Sequence, residues 1–163
     1  MDDKFEVGSW VVYPAHGVGK IEQIEHIELD GTTLDFFVIN FSKNNLTLKL
    51  PINKCEKSGL RHLVDKATLN QVMDILSQKP KRGKSMWSKR AQDYEVKINS
   101  GDLLALAQVL RELYKIGGDA MQSFSERQIY HLAMDRLAKE VSLVENTTED
   151  EVILKVETIL QAA

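Results

Sequence analysis

The sequence predicts an α+β protein: a small curled antiparallel sheet or SH3-like β-barrel, followed by an all-α helical domain. Two observations carry this. Up to about residue 64 the chain runs in short apolar segments separated by turn residues, several of them alternating with period two. From Thr68 onward apolar residues recur at i, i+3, i+4 and i+7, the period of a helix with one buried face.

The β half reads in order. Trp10-Val-Val-Tyr-Pro14 is a short apolar strand closed by the turn Pro14-Ala-His-Gly17. Val18 to Leu29 comes next, with Ile21, Ile24 and Ile27 set among polar residues. Asp30-Gly31 signals a tight hairpin, because both central positions tolerate positive φ. Leu34 to Phe41 returns, Asn44-Asn45 turns the chain again, and Leu46-Thr-Leu-Lys-Leu50 alternates up to Pro51. Four or five sequential strands of this length make a small curled sheet.

The helical half divides at its breakers and caps. Leu69, Val72, Met73 and Leu76 form the stripe of one short helix, and Trp87 opens a second that runs to about Ile98. Ser100-Gly-Asp102 ends that helix and caps a third, with Leu103, Leu106, Leu110 and Leu113 on one side. Gly117-Gly118 is expected to end the third helix. Ser123-x-x-Glu126 is a capping box for a long fourth, and Thr147-x-x-Asp150 is expected to start the last. The leucine stripes over 103–113 and 132–144 read as bundle core. The implied organisation is a β domain over 1–64, a helix and basic linker over 65–86, and a helical domain over 87–163.

The most informative stretch is that linker together with the start of the second helix. From Ser77 to Gln92 there are six basic residues and no acidic one, in a chain with a formal net charge of −3. Lys79-Pro-Lys-Arg-Gly-Lys84 leads directly into Ser-Met-Trp87-Ser-Lys-Arg90. Lysine and arginine hold phosphates, and an apolar ring presses on or between bases. A basic run alone is usually a solvated linker, and a tryptophan alone is usually core. Together at a helix start, Trp87, Lys84, Lys89 and Arg90 favour a nucleic-acid contact over a buried anchor.

Composition bounds the rest. The 163 residues suffice for one large domain or two small ones, and 43% hydrophobic with 28% charged residues is ordinary for a globular chain. No apolar run approaches the roughly 20 residues that span a bilayer, and Met1-Asp-Asp-Lys-Phe5 lacks the features of a signal peptide. Cys55 is the single cysteine, which excludes an internal disulfide and fits a reducing compartment, so a cytoplasmic location is expected. An acidic chain should hold DNA weakly by itself and gain from a second tethering contact.

No catalytic chemistry is legible. Cys55 lacks a CxxC partner, no helix carries HxxxH, and His16 and His26 fall on different segments, so neither a metal site nor a cofactor is expected. Cys55 with His62 as its base has no supporting signature, and a partly buried thiol is the simpler reading. Gly17-Val-Gly19 lacks the third glycine and the strand-to-helix context of a nucleotide loop. His16 reads as a turn residue and His131 as an ordinary helix residue. The chain is not expected to be an enzyme or to take a small-molecule substrate.

With these residues in view, the chain resembles the CarD/CdnL family of bacterial transcription regulators. The resemblance rests on Val12-Tyr-Pro-x-His-Gly17, Leu46-Thr-Leu-Lys-Leu-Pro51, Trp87-Ser-Lys-Arg90 and Ser100-Gly-Asp102, in the family's order and spacing over nearly the whole chain. It implies a Tudor-like N-terminal domain that docks on the β subunit of RNA polymerase, with Lys49, Leu48 and Leu50 on the docking strand. It also implies a helical domain that touches promoter DNA at the upstream edge of the melted bubble. There the tryptophan matching Trp87 wedges into the minor groove, and basic neighbours matching Lys89 and Arg90 hold the backbone. The hairpin Glu25-His-Ile-Glu-Leu-Asp30 departs from the pattern: it is acidic and puts Ile27 where relatives can carry an arginine.

Residue reading and resemblance agree on two domains, a basic aromatic joint and no catalytic site, but only the resemblance names RNA polymerase. Two other binding readings compete with promoter action, and a third reading, an unrecognised hydrolase, would show as turnover that depends on Cys55 or His16. One is a polymerase-docking module like the related domain of transcription-repair coupling factors, with no role for the helical half. The other is a protein-interaction scaffold in which Trp87 is a buried anchor and Lys89 and Arg90 are dispensable.

Overall fold

A computed structural model describes residues 5–41, 45–79, 86–114 and 123–163, and the chain divides into two compact units, Met1–Leu63 and Val64–Ala163. The first unit holds β1 (Trp10–Tyr13), β2 (Gly17–Leu29), β3 (Thr32–Phe41), β4 (Leu46–Pro51) and β5 (Arg61–His62). They form one antiparallel sheet in the order β4-β3-β2-β1-β5. A 3-10 turn at Ile52–Lys54 and the short helix α1 (Cys55–Ser58) carry the chain from β4 toward β5.

Local chemistry sets the turns. Asp30 and Gly31 both have positive φ, 51° and 81°, and Leu29 pairs with Thr32, so the hairpin closes on the two residues expected. Asn45 also sits at positive φ, while its neighbour Asn44 lies outside the described residues. Gly17 pairs with Tyr13 at the start of β2 and Gly19 pairs with Val11. A Cβ on Gly19 would stand 2.7 Å from the Phe41 ring and 2.8 Å from Ile39 Cγ2. The glycine pair therefore serves sheet packing, not a phosphate.

The apolar face of the sheet closes on Val11, Ile21, Phe37, Ile39, Phe41 and Leu50, with Cys55 and Leu60 from the connecting segment. Burying each large apolar side chain contributes about 1.5–3 kcal/mol. The pleat of β4 divides its side chains: Leu50 is in this core and Leu48 packs against it, while Lys49 is exposed. β4 is a terminal strand of the sheet.

The second unit holds α2 (Lys66–Ser77), α3 (Trp87–Ile98), α4 (Leu103–Leu113), α5 (Phe124–Glu145) and α6 (Glu149–Ala162). α4 is the central element. Leu103, Leu106, Leu110 and Leu113 are buried as expected, and so are Ala105, Ala107 and Val109 on its other sides. α2, α3 and α5 all pack on α4, and α6 packs on α2 and α5.

The structure departs from the sequence expectations at five points. The helix assigned to the 65–86 linker belongs to the second unit: Leu69, Val72 and Leu76 lie in its core with Leu106, Leu110, Val156 and Leu160. Both ends of α2 are tied there, since Val64 N–H donates to Glu140 Oε2 at 2.9 Å and Arg111 Nη1 donates to Leu76 O at 2.9 Å. The last helix starts one residue later than expected, because Thr148 is the N-cap and its hydroxyl accepts from Glu151 N–H. α4 ends at Leu113, where Tyr114 turns extended, and the expected stop Gly117-Gly118 lies outside the described residues. Leu132 is 45% exposed, because α5 buries Ala133, Met134, Leu137 and Val141 instead. The sheet has five strands, within the four or five expected, but β5 and α1 fall where the sequence located no element, being too short to show a period.

Candidate nucleic-acid interface

Trp87 opens α3, and the helix runs to Ile98 as expected. Met86 is the N-cap and makes no side-chain capping bond, and the first turn has no acidic residue. A helix start of this kind favours an anion through its N–H groups and its dipole. The basic stretch joins α2 to α3, so it lies inside the second unit and not at its boundary with the first. Lys84, expected to hold a phosphate, lies outside the described residues.

Trp87 is half-buried and packs against the helical core. Its indole lies 6.2 Å from the ring of buried Tyr94. The Arg90 guanidinium is 5.4 Å from the Trp87 ring centroid and 5.8 Å from that of Tyr94. Arg90 Nη2 donates to Tyr94 Oη at 3.3 Å, and Arg90 Nε is buried without a hydrogen-bond partner among the described residues. Arg90, expected on phosphate, is thus engaged with two aromatic rings. Lys89 is exposed, with its Nζ 3.5 Å from Asp93 Oδ1 one turn along the helix. Such an exposed pair contributes little and exchanges easily for a phosphate.

Two further residues belong to this site although no sequence motif marks them. Met86 is 79% exposed beside Trp87, and unbranched apolar side chains also serve as wedges between base steps. Tyr94 stands seven residues beyond Trp87 and four beyond Arg90, so helical spacing is the signal that groups the three.

In the first unit Lys49 Nζ reaches Glu25 Oε1 at 2.9 Å, which ties the outward lysine to the acidic hairpin. Leu48 and Leu50 face the core, so toward a partner this strand offers its backbone edge and Lys49. His26 Nδ1 is 2.5 Å from Asp35 Oδ1 on the same hairpin.

Packing accounts for His16, His62 and the cysteine. His16 stacks on Tyr13 at 5.5 Å, and its backbone N–H donates to Tyr13 O. The His62 ring stacks on Phe5 at 4.6 Å, while Cys55 is buried with Sγ 3.7 Å from Pro51 O. Burial pushes the Cys55 thiol up, away from a nucleophilic thiolate. Among the described residues no cluster of His, Cys, Asp and Glu could hold a metal ion, and no helix is long and apolar enough to cross a membrane.

Comparison with known proteins covers both units. Residues 5–64 match the family model described as the CarD-like/TRCF RID domain, and residues 71–157 match that of the CarD C-terminal domain. The YdeB protein of Bacillus subtilis (strain 168), by its name a candidate transcription factor, is 28% identical over 148 residues. That alignment spans 91% of this chain and 97% of YdeB. With a matching model over each unit, the chain belongs to the CarD family of transcription regulators.

Proposed function

We propose that the protein binds RNA polymerase through its first unit and contacts promoter DNA through its second, stabilising the open complex. The observation that carries the DNA half is the start of α3. Trp87 and the exposed Met86 stand at a helix N-terminus whose N-cap residue makes no side-chain capping bond, Lys89 is exposed, and the preceding stretch is rich in lysine. Trp87 is the wedge at the upstream edge of the bubble. Stacking is already interrupted there, so part of the unstacking cost of a few kcal/mol is already met. Contacts made only with melted DNA favour the open form over the closed one. Lys89 and Lys84 hold phosphates without reading sequence, since no array of base-reading side chains accompanies them in the sequence.

The polymerase half rests on the family of the first unit and on the terminal strand β4 with Lys49 facing outward. Its partner is the polymerase β subunit. Pairing at a strand edge supplies backbone hydrogen bonds, and Lys49 supplies register and charge complementarity once it leaves Glu25. The protein acts as a regulator in the cytoplasm and is not an enzyme.

The deciding experiment adds the protein to RNA polymerase on a promoter with a fluorescent reporter of melting and follows bubble closing. The wild type should slow closing. Trp87→Ala should keep polymerase binding and lose most of that gain. The half-buried position of Trp87 against the helical core favours one rival, a structural anchor. An anchor predicts a stability loss of about 3–5 kcal/mol in Trp87→Ala. A large fall in melting temperature with unchanged closing kinetics would therefore defeat the wedge.

A further inference from the structure

Arg90 differs from its neighbour Lys89 in what surrounds it. Trp87, Arg90 and Tyr94 occupy positions i, i+3 and i+7 of α3, so they share one face of the helix. Tyr94 is 3% exposed and forms a fixed floor. The Arg90 guanidinium lies within cation–π range of that floor and of the half-exposed Trp87 indole, and it donates one hydrogen bond to the Tyr94 phenol. Its Nε is already withdrawn from solvent. A phosphate would have to compete with both rings and the Tyr94 phenol for the guanidinium, whereas Lys89 needs only to release an exposed carboxylate.

We propose that Arg90 is a positioning residue that sets the angle at which α3 presents the Trp87 indole, and that it does not contact phosphate. This rests on the reading of Trp87 as the DNA-contacting wedge. Planarity is what the role requires. A guanidinium can cover two ring faces and still donate to the phenol, while an ammonium on a flexible stem cannot hold that geometry. Charge alone therefore does not substitute for it.

The test uses the full chain labelled with 5-fluorotryptophan, in which Trp10→Phe assigns the two resonances. It compares Arg90→Lys, Arg90→Ala and Lys89→Ala. Both Arg90 variants should move or broaden the Trp87 fluorine signal and raise its quenching by acrylamide. Arg90→Lys should shorten open-complex lifetime nearly as much as Arg90→Ala. The salt slope of DNA binding should stay unchanged in Arg90→Ala but fall by about one unit in Lys89→Ala, whose fluorine spectrum should match the wild type. The proposal is overturned if Arg90→Ala lowers the salt slope by about one and Arg90→Lys restores it. It is equally overturned if Arg90→Lys leaves the Trp87 signal in place while only the melting temperature changes. Failure of the wedge reading looks different: Trp87→Ala would leave open-complex lifetime untouched, yet the fluorine spectrum of Arg90→Lys would still report whether Arg90 holds the ring.

Discussion

At the scale of single residues, sequence type is a good guide to chemistry and a poor one to direction. One motif groups Lys49, Leu48 and Leu50, yet the pleat turns Lys49 out and the two leucines toward the core. Sequence offers wedge or core for Trp87, and the residue is half-buried because α3 lays one side of the indole on the bundle. Cys55 reads as a partly buried thiol in sequence, and it is fully buried in the core beside β4. Its pKa is raised by burial, so the neutral thiol is favoured in the folded state. The stability this contributes is complete below the thiol's ordinary range and is lost as pH rises through the raised value. Native protein at pH 8 should therefore react with a thiol-specific disulfide reagent markedly more slowly than urea-unfolded protein. In Cys55→Ala the part of the alkaline stability loss that belongs to the thiol should vanish. A native rate equal to the unfolded rate would show that the thiol is open to solvent.

Whole elements are legible where their own chemistry defines them. The Asp30-Gly31 hairpin, the Trp87 start of α3 and the Ser123–Glu126 capping box each depend on residues near one another in sequence, and the structure forms all three. Elements held by remote partners are not: β5 is two residues long and exists because β1 pairs with it. The start of α6 lies between these cases. Thr147 and Thr148 both stand before the acidic turn, and pattern alone does not choose between them. In the structure Thr148 caps the helix through Glu151 N–H, while the Thr147 hydroxyl binds the Glu151 carboxylate. Losing a backbone cap typically costs about 1 kcal/mol, and an exposed side-chain bond costs less. Thr148→Ala should thus lower the unfolding free energy by about 1 kcal/mol and Thr147→Ala by clearly less, read from denaturant midpoints at equal m-value. The reverse order would put the cap at Thr147.

At the scale of the molecule, the change of period near Thr68 locates two differently built halves, but the basic stretch suggests a boundary too far along the chain. A basic run containing Pro and Gly looks like a linker between domains, and composition cannot show that the helix before it shares a core with the helices after it. That core decides the matter. Leu69, Val72 and Leu76 are buried in the helical cluster, Arg111 caps the last turns of α2 and α6 through Leu76 O and Leu160 O, and Glu140 holds Val64 N–H. A fragment of residues 64–163 should therefore melt cooperatively by itself. A fragment of residues 87–163 lacks all three side chains and leaves the Arg111 guanidinium without one of these two carbonyl acceptors. Emptying the site of a single large core side chain costs about 2–5 kcal/mol, and the whole stability of a domain is only about 5–15 kcal/mol. The shorter fragment should accordingly show no cooperative transition and little near-ultraviolet circular dichroism. A sharp melt from 87–163 would mean that α2 is dispensable to the helical core, and the boundary would return to the basic stretch. The outcome bears on function as well: with α2 and α3 in one cooperative unit, the Trp87 end of α3 is held from both sides of the basic stretch. Substitutions in the α2 core such as Val72→Ala should then weaken the proposed DNA action in proportion to the stability they remove, while leaving the proposed polymerase contact of the first unit intact.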